Sequence, residues 1–231
     1  MITQEDRLSR QLTILHPRMT ELQVLVAGCG MSGGWAAHGL ARAVGDVALF
    51  DGADKVEEVN CGNQPFSEMN LSVGKADALV DNLAGFSTTA YPFKFPSNRT
   101  FARPDVVISC VDSFKSKQSI TQWCMDNEVP MLETRAQGET AVLCFVPVER
   151  LEEHLAALPT DREVEDVGCG ATGGAFLGMW IGSQVVAWLN NWCRNMTLPR
   201  MLIYHVGLNE KISTQFWGNE EGFEGDMNTT E

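Results

Sequence analysis

Three features that would assign this 231-residue chain to a membrane or a nucleic acid are missing from its sequence. No apolar run reaches the ~18–20 residues that a membrane-spanning helix needs. Basic charge is scarce, because 17 Lys and Arg stand against 30 Asp and Glu, and phosphate-backbone binding depends on clustered basic side chains. The first residues are polar and acidic, unlike a signal peptide. These absences predict a cytoplasmic protein whose partners include neither membrane nor nucleic acid.

Paired cysteine motifs are also missing. The seven cysteines have irregular spacings, no two form Cys-x-x-Cys, and several lie in apolar stretches. This pattern favours reduced thiols over a disulfide framework, and it argues against a four-cysteine zinc site. The four histidines show no spacing typical of metal ligands.

Short apolar runs alternate with segments of helical spacing along most of the chain. The runs predict strands and the spacing predicts helices, so the fold class is α/β: a Rossmann-like, mostly parallel sheet flanked by helices. The predicted strands cover residues 23–28, 46–51, 105–112, 131–134 and 140–146, and the predicted helices cover residues 35–44, 75–83 and 116–127.

The two ends of the chain complete the predicted organisation. An N-terminal helix is predicted, with Thr3 and Asp6 spaced as a capping pair, and residues 175–193 predict a long apolar helix that serves packing or dimerisation. The tail of residues 218–231 carries five acids and no base, which is typical of disorder. We therefore expect a single domain over residues 1–217.

A glycine-rich turn follows the first predicted strand. Gly28, Gly30 and Gly33 form Gly-x-Gly-x-x-Gly between a strand and a helix, where backbone N–H groups can approach a phosphate. Asp51 ends the next strand 23 residues after Gly28, as expected of an acid that binds ribose hydroxyls. Up to this point an NAD-dependent oxidoreductase is equally allowed, and a turn that serves only close packing is the structural alternative.

A series of motifs in fixed order narrows the choice. Besides the glycine loop and Asp51, the chain carries, in order, Arg7-Leu-Ser-Arg10-Gln11, Asp54-Lys-Val-Glu-Glu-Val-Asn60, Gln64-Pro-Phe66, Val73-Gly-Lys75-Ala and Val107-Ile-Ser-Cys-Val-Asp112-Ser-Phe. With these motifs the chain resembles, between Arg7 and Asp112, the ThiF/MoeB family, the prokaryotic relatives of ubiquitin-activating enzymes. The stretch from Asn60 to Lys75 is most similar to ThiF-type proteins of mobile-element or defence gene clusters.

This resemblance implies ATP-dependent adenylation of the C-terminal glycine carboxylate of a ubiquitin-like or sulfur-carrier protein. It implies that Lys75 contacts the phosphates, that Asp112 holds Mg²⁺, and that Asn60 and Gln64 belong to the nucleotide site. It also implies a homodimer, in which Arg10 reaches the phosphates bound by the other subunit.

One departure from the family pattern bears on activity. Asn63 stands where the family usually has an arginine, and an arginine that meets developing phosphate charge is worth roughly 10³–10⁵ in rate. Either Arg10, Arg42 or Lys115 compensates, or activity is low, or the chain is a non-catalytic adaptor that binds a carrier protein or another enzyme. The NAD-dependent oxidoreductase remains a third hypothesis, although it leaves the motifs after Asp51 unexplained.

Some relatives transfer the activated acyl group to a cysteine. Cys169, in a glycine-rich segment before a predicted helix, is the leading candidate for such a thioester, and Cys61 is the second. The other five cysteines are expected to be core thiols.

Overall fold

A mixed sheet organises the chain in the computed structural model, which describes residues 8–52, 54–159 and 173–217. Eight strands in these ranges form one sheet, in the order β3-β2-β1-β4-β5-β6-β7-β8. Their bounds are β1 (Gln23–Ala27), β2 (Asp46–Phe50), β3 (Thr88–Tyr91), β4 (Val106–Ser109), β5 (Met131–Gln137), β6 (Thr140–Val146), β7 (Met201–His205) and β8 (Glu210–Gln215).

The sheet is parallel on one side and antiparallel on the other. Strands β3, β2, β1, β4 and β5 pair in parallel, whereas β5–β6, β6–β7 and β7–β8 pair antiparallel. The prediction of a mostly parallel sheet is correct only for the first five strands. The reason is the two-residue turn between β5 and β6, where Gly138 takes a left-handed φ of +58° and reverses the chain.

Five helices of the described residues cover the sheet on both faces. They are α1 (Met31–Leu40), α2 (Lys75–Asn82), α3 (Phe114–Asp126), α4 (Leu151–Ala157) and α5 (Ala175–Cys193). One hydrophobic core joins α1, α2 and α5 to the sheet, and a second joins α3 and α4 to its other face. This two-layered cover confirms the Rossmann-like α/β class. In the described ranges, no helix combines the length and apolar character needed to cross a bilayer.

The crossing of α1 and α5 depends on glycine. A Cβ on Gly182 would lie 2.6 Å from the backbone oxygen of Trp35, and a Cβ on Gly39 would lie 2.9 Å from Cγ2 of Val186. The two helices therefore approach more closely than larger residues would permit. This packing fixes the position of α1, whose first turn carries the glycine-rich sequence.

Several predicted features lie at the margins of the described residues or beyond them. Residues 1–7, the tail of residues 218–231 and Cys169 are outside the described ranges. Residues 8–15 form consecutive turns, in which the N–H groups of Leu12 and Leu15 donate to the carbonyls of Leu8 and Gln11. A short 3₁₀ helix, Pro17–Glu21, then leads into β1.

A buried group of charges joins β5 to α3 and α4. The carboxylate of Glu133 is fully buried; its Oε1 lies 3.5 Å from Nζ of Lys117 and accepts a hydrogen bond from Arg135, and its Oε2 lies 3.0 Å from Nε2 of His154. Lys117 is itself only 2% exposed and also donates to the backbone oxygen of Thr134 at 3.3 Å. We call Lys117, Glu133, Arg135 and His154 the Glu133 network.

This environment keeps Glu133 ionised. Burial alone would raise the pKa of its carboxyl, but the hydrogen bond with His154 and the charges of Lys117 and Arg135 outweigh burial and lower the pKa to about 2. A buried carboxylate that is fully paired holds its partners in place, whereas removing its charge leaves Lys117 buried without compensation. The network therefore fixes the start of α3 and all of α4 against β5.

The first prediction concerns acid stability. The pKa of Glu133 is about 2 in the folded chain against an ordinary 4.5, so its stabilisation is complete above pH ~5 and is lost as the pH falls towards 2. We expect Glu133→Gln to reduce the free energy of unfolding by roughly 3–5 kcal/mol at pH 7. The difference in the free energy of unfolding between wild type and variant should become smaller between pH 5 and pH 3 in urea titrations. A difference that stays constant with pH would contradict this expectation.

Candidate nucleotide-binding site

The glycine-rich turn joins β1 to α1 at the carboxyl edge of the sheet. Gly28 has a φ of +93°, and a Cβ there would lie 2.8 Å from the backbone oxygen of Cys110. Gly33 packs directly on the carbonyl of Gly28, so a Cβ at this position would overlap it. By contrast, a Cβ built on Gly30 meets no atom within 4 Å among the described residues beyond its chain neighbours and its own helix backbone. The turn is therefore tight at Gly28 and Gly33 and open at Gly30.

The open side of the turn coincides with a helix N-terminus. Gly30 precedes the first residue of α1, and no side chain caps the helix there. The first N–H groups of a helix have no partner within it, and the helix dipole favours an anion at this end. A phosphate group thus has both space and donors beside Gly30.

Asp51 connects the end of β2 to this turn. Its Oδ2 accepts a 2.6 Å hydrogen bond from the N–H of Cys29, between the first two glycines. Burial raises the pKa of Asp51, although the Cys29 N–H and the charge of Lys75 act in the opposite direction. With Oδ2 bound to the loop, Oδ1 remains able to accept a hydrogen bond from a ribose hydroxyl.

Lys75 begins α2 beside Asp51. The chain around residues 54–56 pairs with residues 72–75, and the N–H of Lys75 donates to the backbone oxygen of Asp54 at 3.1 Å. The Lys75 ammonium lies 3.7 Å from the Asp54 carboxylate and is 13% exposed, whereas that carboxylate is 76% exposed. The pairing with Asp54 therefore holds a cation at the same edge as the glycine turn.

Asp112 follows β4 on the other side of β1. It is exposed, and its Oδ1 accepts a 2.9 Å hydrogen bond from the N–H of Ser113, whose own hydroxyl caps α3. The charge of Asp112 contributes to the raised pKa of Asp51, so the two carboxylates share one electrostatic environment. In the described part of the chain, no group of three or more His, Cys, Asp or Glu is arranged to hold a metal ion. A single carboxylate fits Mg²⁺, which binds through one or two carboxylates together with substrate phosphates.

The segment from Asn60 to Gln64 packs against α1 rather than extending into solvent. Oδ1 of Asn60 accepts from the N–H of Glu57 at 2.9 Å, which commits this oxygen to a local helix cap. The backbone oxygen of Asn63 accepts from Nε1 of Trp35 at 3.1 Å. Oδ1 of Asn63 and Oε1 of Gln64 are buried, with no hydrogen-bond partner in the described ranges.

The remaining predicted residues are dispersed. Arg10 is exposed in the turns before β1, and within the described residues no hydrogen bond or ion pair joins it to the glycine turn, Lys75 or Asp112. Arg42 is turned away, because it donates to the backbone oxygen of His38 and lies 4.8 Å from the ring centroid of Phe86. Lys115 is exposed near the start of α3. One chain therefore brings together the glycines, Asp51, Lys75 and Asp112, but not Arg10.

The cysteines within the described ranges divide into two groups. The five cysteines predicted to be core thiols are Cys29, Cys110, Cys124, Cys144 and Cys193, and burial raises the pKa of each. The pKa is about 11 for Cys110 and about 12 for Cys124 and Cys144, so these thiols are poor nucleophiles. Cys61 is half-buried next to Asn60 and makes a 3.9 Å contact with the backbone oxygen of Glu57. The role predicted for Cys169 stays a prediction.

Arg135 is a residue that sequence reasoning did not identify. It lies in β5, where its guanidinium is 5.1 Å from the ring centroid of Phe114, two residues after Asp112. The signal in the sequence is the charged pair Glu133 and Arg135, in alternate positions around the end of the predicted strand over residues 131–134. Ser109 of β4 pairs in parallel with Glu133, so this pair lies on the strand next to the one that leads to Asp112.

Two curated proteins are similar in sequence to part of this chain. The chain is 25% identical over 162 residues to tRNA threonylcarbamoyladenosine dehydratase from Escherichia coli (strain K12), covering 64% of this chain and 60% of that protein. It is 27% identical over 143 residues to ubiquitin-like modifier-activating enzyme 5 from Arabidopsis thaliana, covering 52% of this chain and 33% of that protein. The chain thus spans less than two thirds of the length of either relative.

Solved structures of E. coli MccB share the fold. The complex with MccA superposes with a TM-score of 0.73 at 15% identity, covering 93% of this chain and 72% of MccB. The complex with ATP gives a TM-score of 0.69 at 16% identity, covering 86% and 64%. The model of the ThiF family matches residues 15–214, which include every part of the site described above from β1 to β5. The chain therefore belongs to the ThiF family.

Proposed function

We propose that this protein uses ATP to adenylate the C-terminal glycine carboxylate of a ubiquitin-like or sulfur-carrier protein. The observation that carries the proposal is the meeting of the open glycine turn, Asp51, Lys75 and Asp112 at one edge of the sheet. Membership of the ThiF family supports ATP as the nucleotide, because members of this family are ATP-dependent adenylating enzymes.

Each residue of the site has a distinct part in the proposed reaction. Oδ1 of Asp51 would bind a ribose hydroxyl, and the N–H groups beside Gly30 would bind the α-phosphate. Lys75 would contact the outer phosphates, and Asp112 would be a ligand of Mg²⁺. Bound Mg²⁺ neutralises phosphate charge and makes pyrophosphate a better leaving group.

In the reaction, a carboxylate oxygen attacks the α-phosphorus, the bond between that phosphorus and pyrophosphate breaks, and the acyl-adenylate and pyrophosphate result. No proton has to be removed from the attacking carboxylate. The protein therefore contributes positioning and positive charge rather than a general base.

The names of the relatives support the substrate class. One relative activates a ubiquitin-like modifier, and MccB has been crystallised with MccA. The family resemblance also supports a cytoplasmic homodimer, in which Arg10 of one subunit would reach the phosphates held by the other. The exposure of Arg10 and its separation from the site within one chain are compatible with that arrangement. Later transfer of the acyl group to Cys169 or Cys61 is a further part of the proposal.

A second candidate function is a non-catalytic adaptor. It is favoured by Asn63, which replaces the family arginine and whose amide is turned towards the backbone oxygen of Gly173 at 3.5 Å. In this case the protein would bind a carrier protein or another enzyme without forming AMP.

Replacing Asp112 tests the catalytic proposal. We expect Asp112→Asn to reduce ATP–pyrophosphate exchange by at least about 10²-fold, because the variant loses the Mg²⁺ ligand that offsets phosphate charge. Exchange is measured with sulfur-carrier proteins that end in Gly-Gly. Asp126→Asn is the matched control, since Asp126 is an acid at the far end of α3. Equal exchange by the two variants would refute the role of Asp112, and partner binding without any exchange would favour the adaptor.

Replacing Gly30 tests the glycine turn separately. We expect Gly30→Ala to leave the urea midpoint unchanged, because the new Cβ meets no described atom outside its own segment within 4 Å, and to weaken ATP·Mg²⁺ binding about tenfold or more by filling the phosphate approach. Gly62→Ala is the control, since its Cβ is equally clear of the other described residues. Unchanged ATP affinity in Gly30→Ala would place the phosphates elsewhere.

A further inference from the structure

The candidate site has an excess of negative charge on the nucleotide side. Three carboxylates, on Asp51, Asp54 and Asp112, share an electrostatic environment there with the ammonium of Lys75. A carboxylate substrate that approaches this edge next to a bound triphosphate would be repelled. Besides Lys75 and the Mg²⁺ proposed at Asp112, a cation on the side from which an anionic second substrate approaches would favour its binding.

Arg135 has the geometry of such a cation. Its Nε donates to the Glu133 carboxylate and its guanidinium lies against the ring of Phe114, so the side chain is held from two directions. Within the described residues, no hydrogen bond uses its two terminal nitrogens. The side chain is 30% exposed, which leaves these nitrogens accessible to a ligand.

The charge of the Glu133 network also favours an anion at this point. Lys117 and Arg135 supply two positive charges against the single negative charge of Glu133. Lys117 is 2% exposed and Glu133 is fully buried, so Arg135 carries the excess positive charge to the surface. Because Lys117 and His154 hold the carboxylate, Arg135 is oriented before any ligand arrives.

The order of the strands indicates which ligand Arg135 meets. Asp51 follows β2, the glycine turn follows β1, Asp112 comes after β4, and Arg135 lies in β5, two residues beyond Glu133, the last residue of β5 that pairs with β4. Adjacent strands are ~4.8 Å apart, so the backbone of Arg135 is about 10 Å from the glycine turn and about 15 Å from Asp51. If the ribose binds at Asp51 and the α-phosphate at the glycine turn, the nucleotide does not reach Arg135. Arg135 is then available to a second substrate that approaches from the β5 side of Asp112.

We propose that Arg135 binds the carboxylate of the peptide chain end that is to be activated, an inference that rests on the proposed function. Its two terminal nitrogens match the two oxygens of a carboxylate, and a charge-assisted pair of this kind selects a free acid over an amide. Arg135 is thus a residue that determines specificity, and the Glu133 network is what positions it.

The test compares two peptide probes, N-acetyl-Gly-Gly with a free carboxylate and N-acetyl-Gly-Gly amide. Their binding to the full chain is measured by ligand-observed NMR, with and without the non-hydrolysable nucleotide AMPCPP and Mg²⁺. We expect the wild type to prefer the acid by about tenfold or more, and Arg135→Gln to bind acid and amide alike. Arg135→Lys, which keeps the charge but not the fork of two nitrogens, should retain only part of the preference.

Arg150→Gln is the matched control. Arg150 also pairs with a glutamate, Glu153, and lies over an aromatic ring, that of Trp217, but Trp217 bonds to the backbone of Phe145 at the opposite edge of the sheet. This variant should keep the wild-type preference for the acid. If Arg135→Gln fails to fold in a urea titration, Arg135→Lys still decides the question.

The outcomes separate this inference from the proposed function. If AMPCPP binds but the wild type shows no preference for the acid, or Arg135→Gln retains that preference, the inference is wrong and the proposed function stands. If Arg135→Gln weakens AMPCPP binding instead, Arg135 contacts the triphosphate and the inference is again wrong. If AMPCPP does not bind while the acid preference depends on Arg135, the inference stands and the ATP-dependent function fails.

Discussion

The hydrogen bond from the Cys29 N–H to the Asp51 carboxylate is the constraint on which the site depends. It joins the ends of β1 and β2, so the glycine turn cannot move without moving the acid that would bind ribose. Close contacts at Gly28 and Gly33 press the same turn against the backbone after β4. The crossing of α1 and α5 holds the helix behind it. Gly28 and Gly33 are therefore held by close contacts, whereas a Cβ built on Gly30 meets no described atom within 4 Å.

Charge is distributed unevenly along the carboxyl edge of the sheet. The nucleotide side carries more carboxylates than cations, which suits Mg²⁺ binding together with a triphosphate. The β5 side carries an excess of positive charge, because Lys117 and Arg135 pair with the single carboxylate of Glu133. Arg135 is the partly exposed member of this group. The two halves of the edge thus differ in the charge they favour, which is compatible with the proposed reaction between a metal-bound nucleotide and a carboxylate.

Short motifs predict the residues whose place depends on local backbone geometry, but they do not predict residues whose place depends on distant contacts. Gly28, Asp51 and Asp112 were identifiable because each ends a recognisable buried strand. Arg135 was missed because its partners, Lys117 and His154, are far from it in sequence. Similarly, β3, β7 and β8 were not predicted, since their mixed polar and apolar residues take strand form only by pairing with neighbours. The nucleotide-site role of Asn60 stays a prediction; its side-chain oxygen accepts a hydrogen bond from the N–H of Glu57, a local contact that the motif does not reveal.

The most direct test of the account is a calorimetric titration of the wild-type chain with ATP·Mg²⁺ and, separately, with NAD⁺. An open glycine turn next to a free ribose-binding oxygen is compatible with either nucleotide, whereas Lys75 and Asp112 are useful only to a triphosphate with its metal. The account predicts that ATP·Mg²⁺ binds with a stoichiometry of one per chain and that NAD⁺ does not bind. Binding of NAD⁺ alone, or of neither nucleotide, would contradict it.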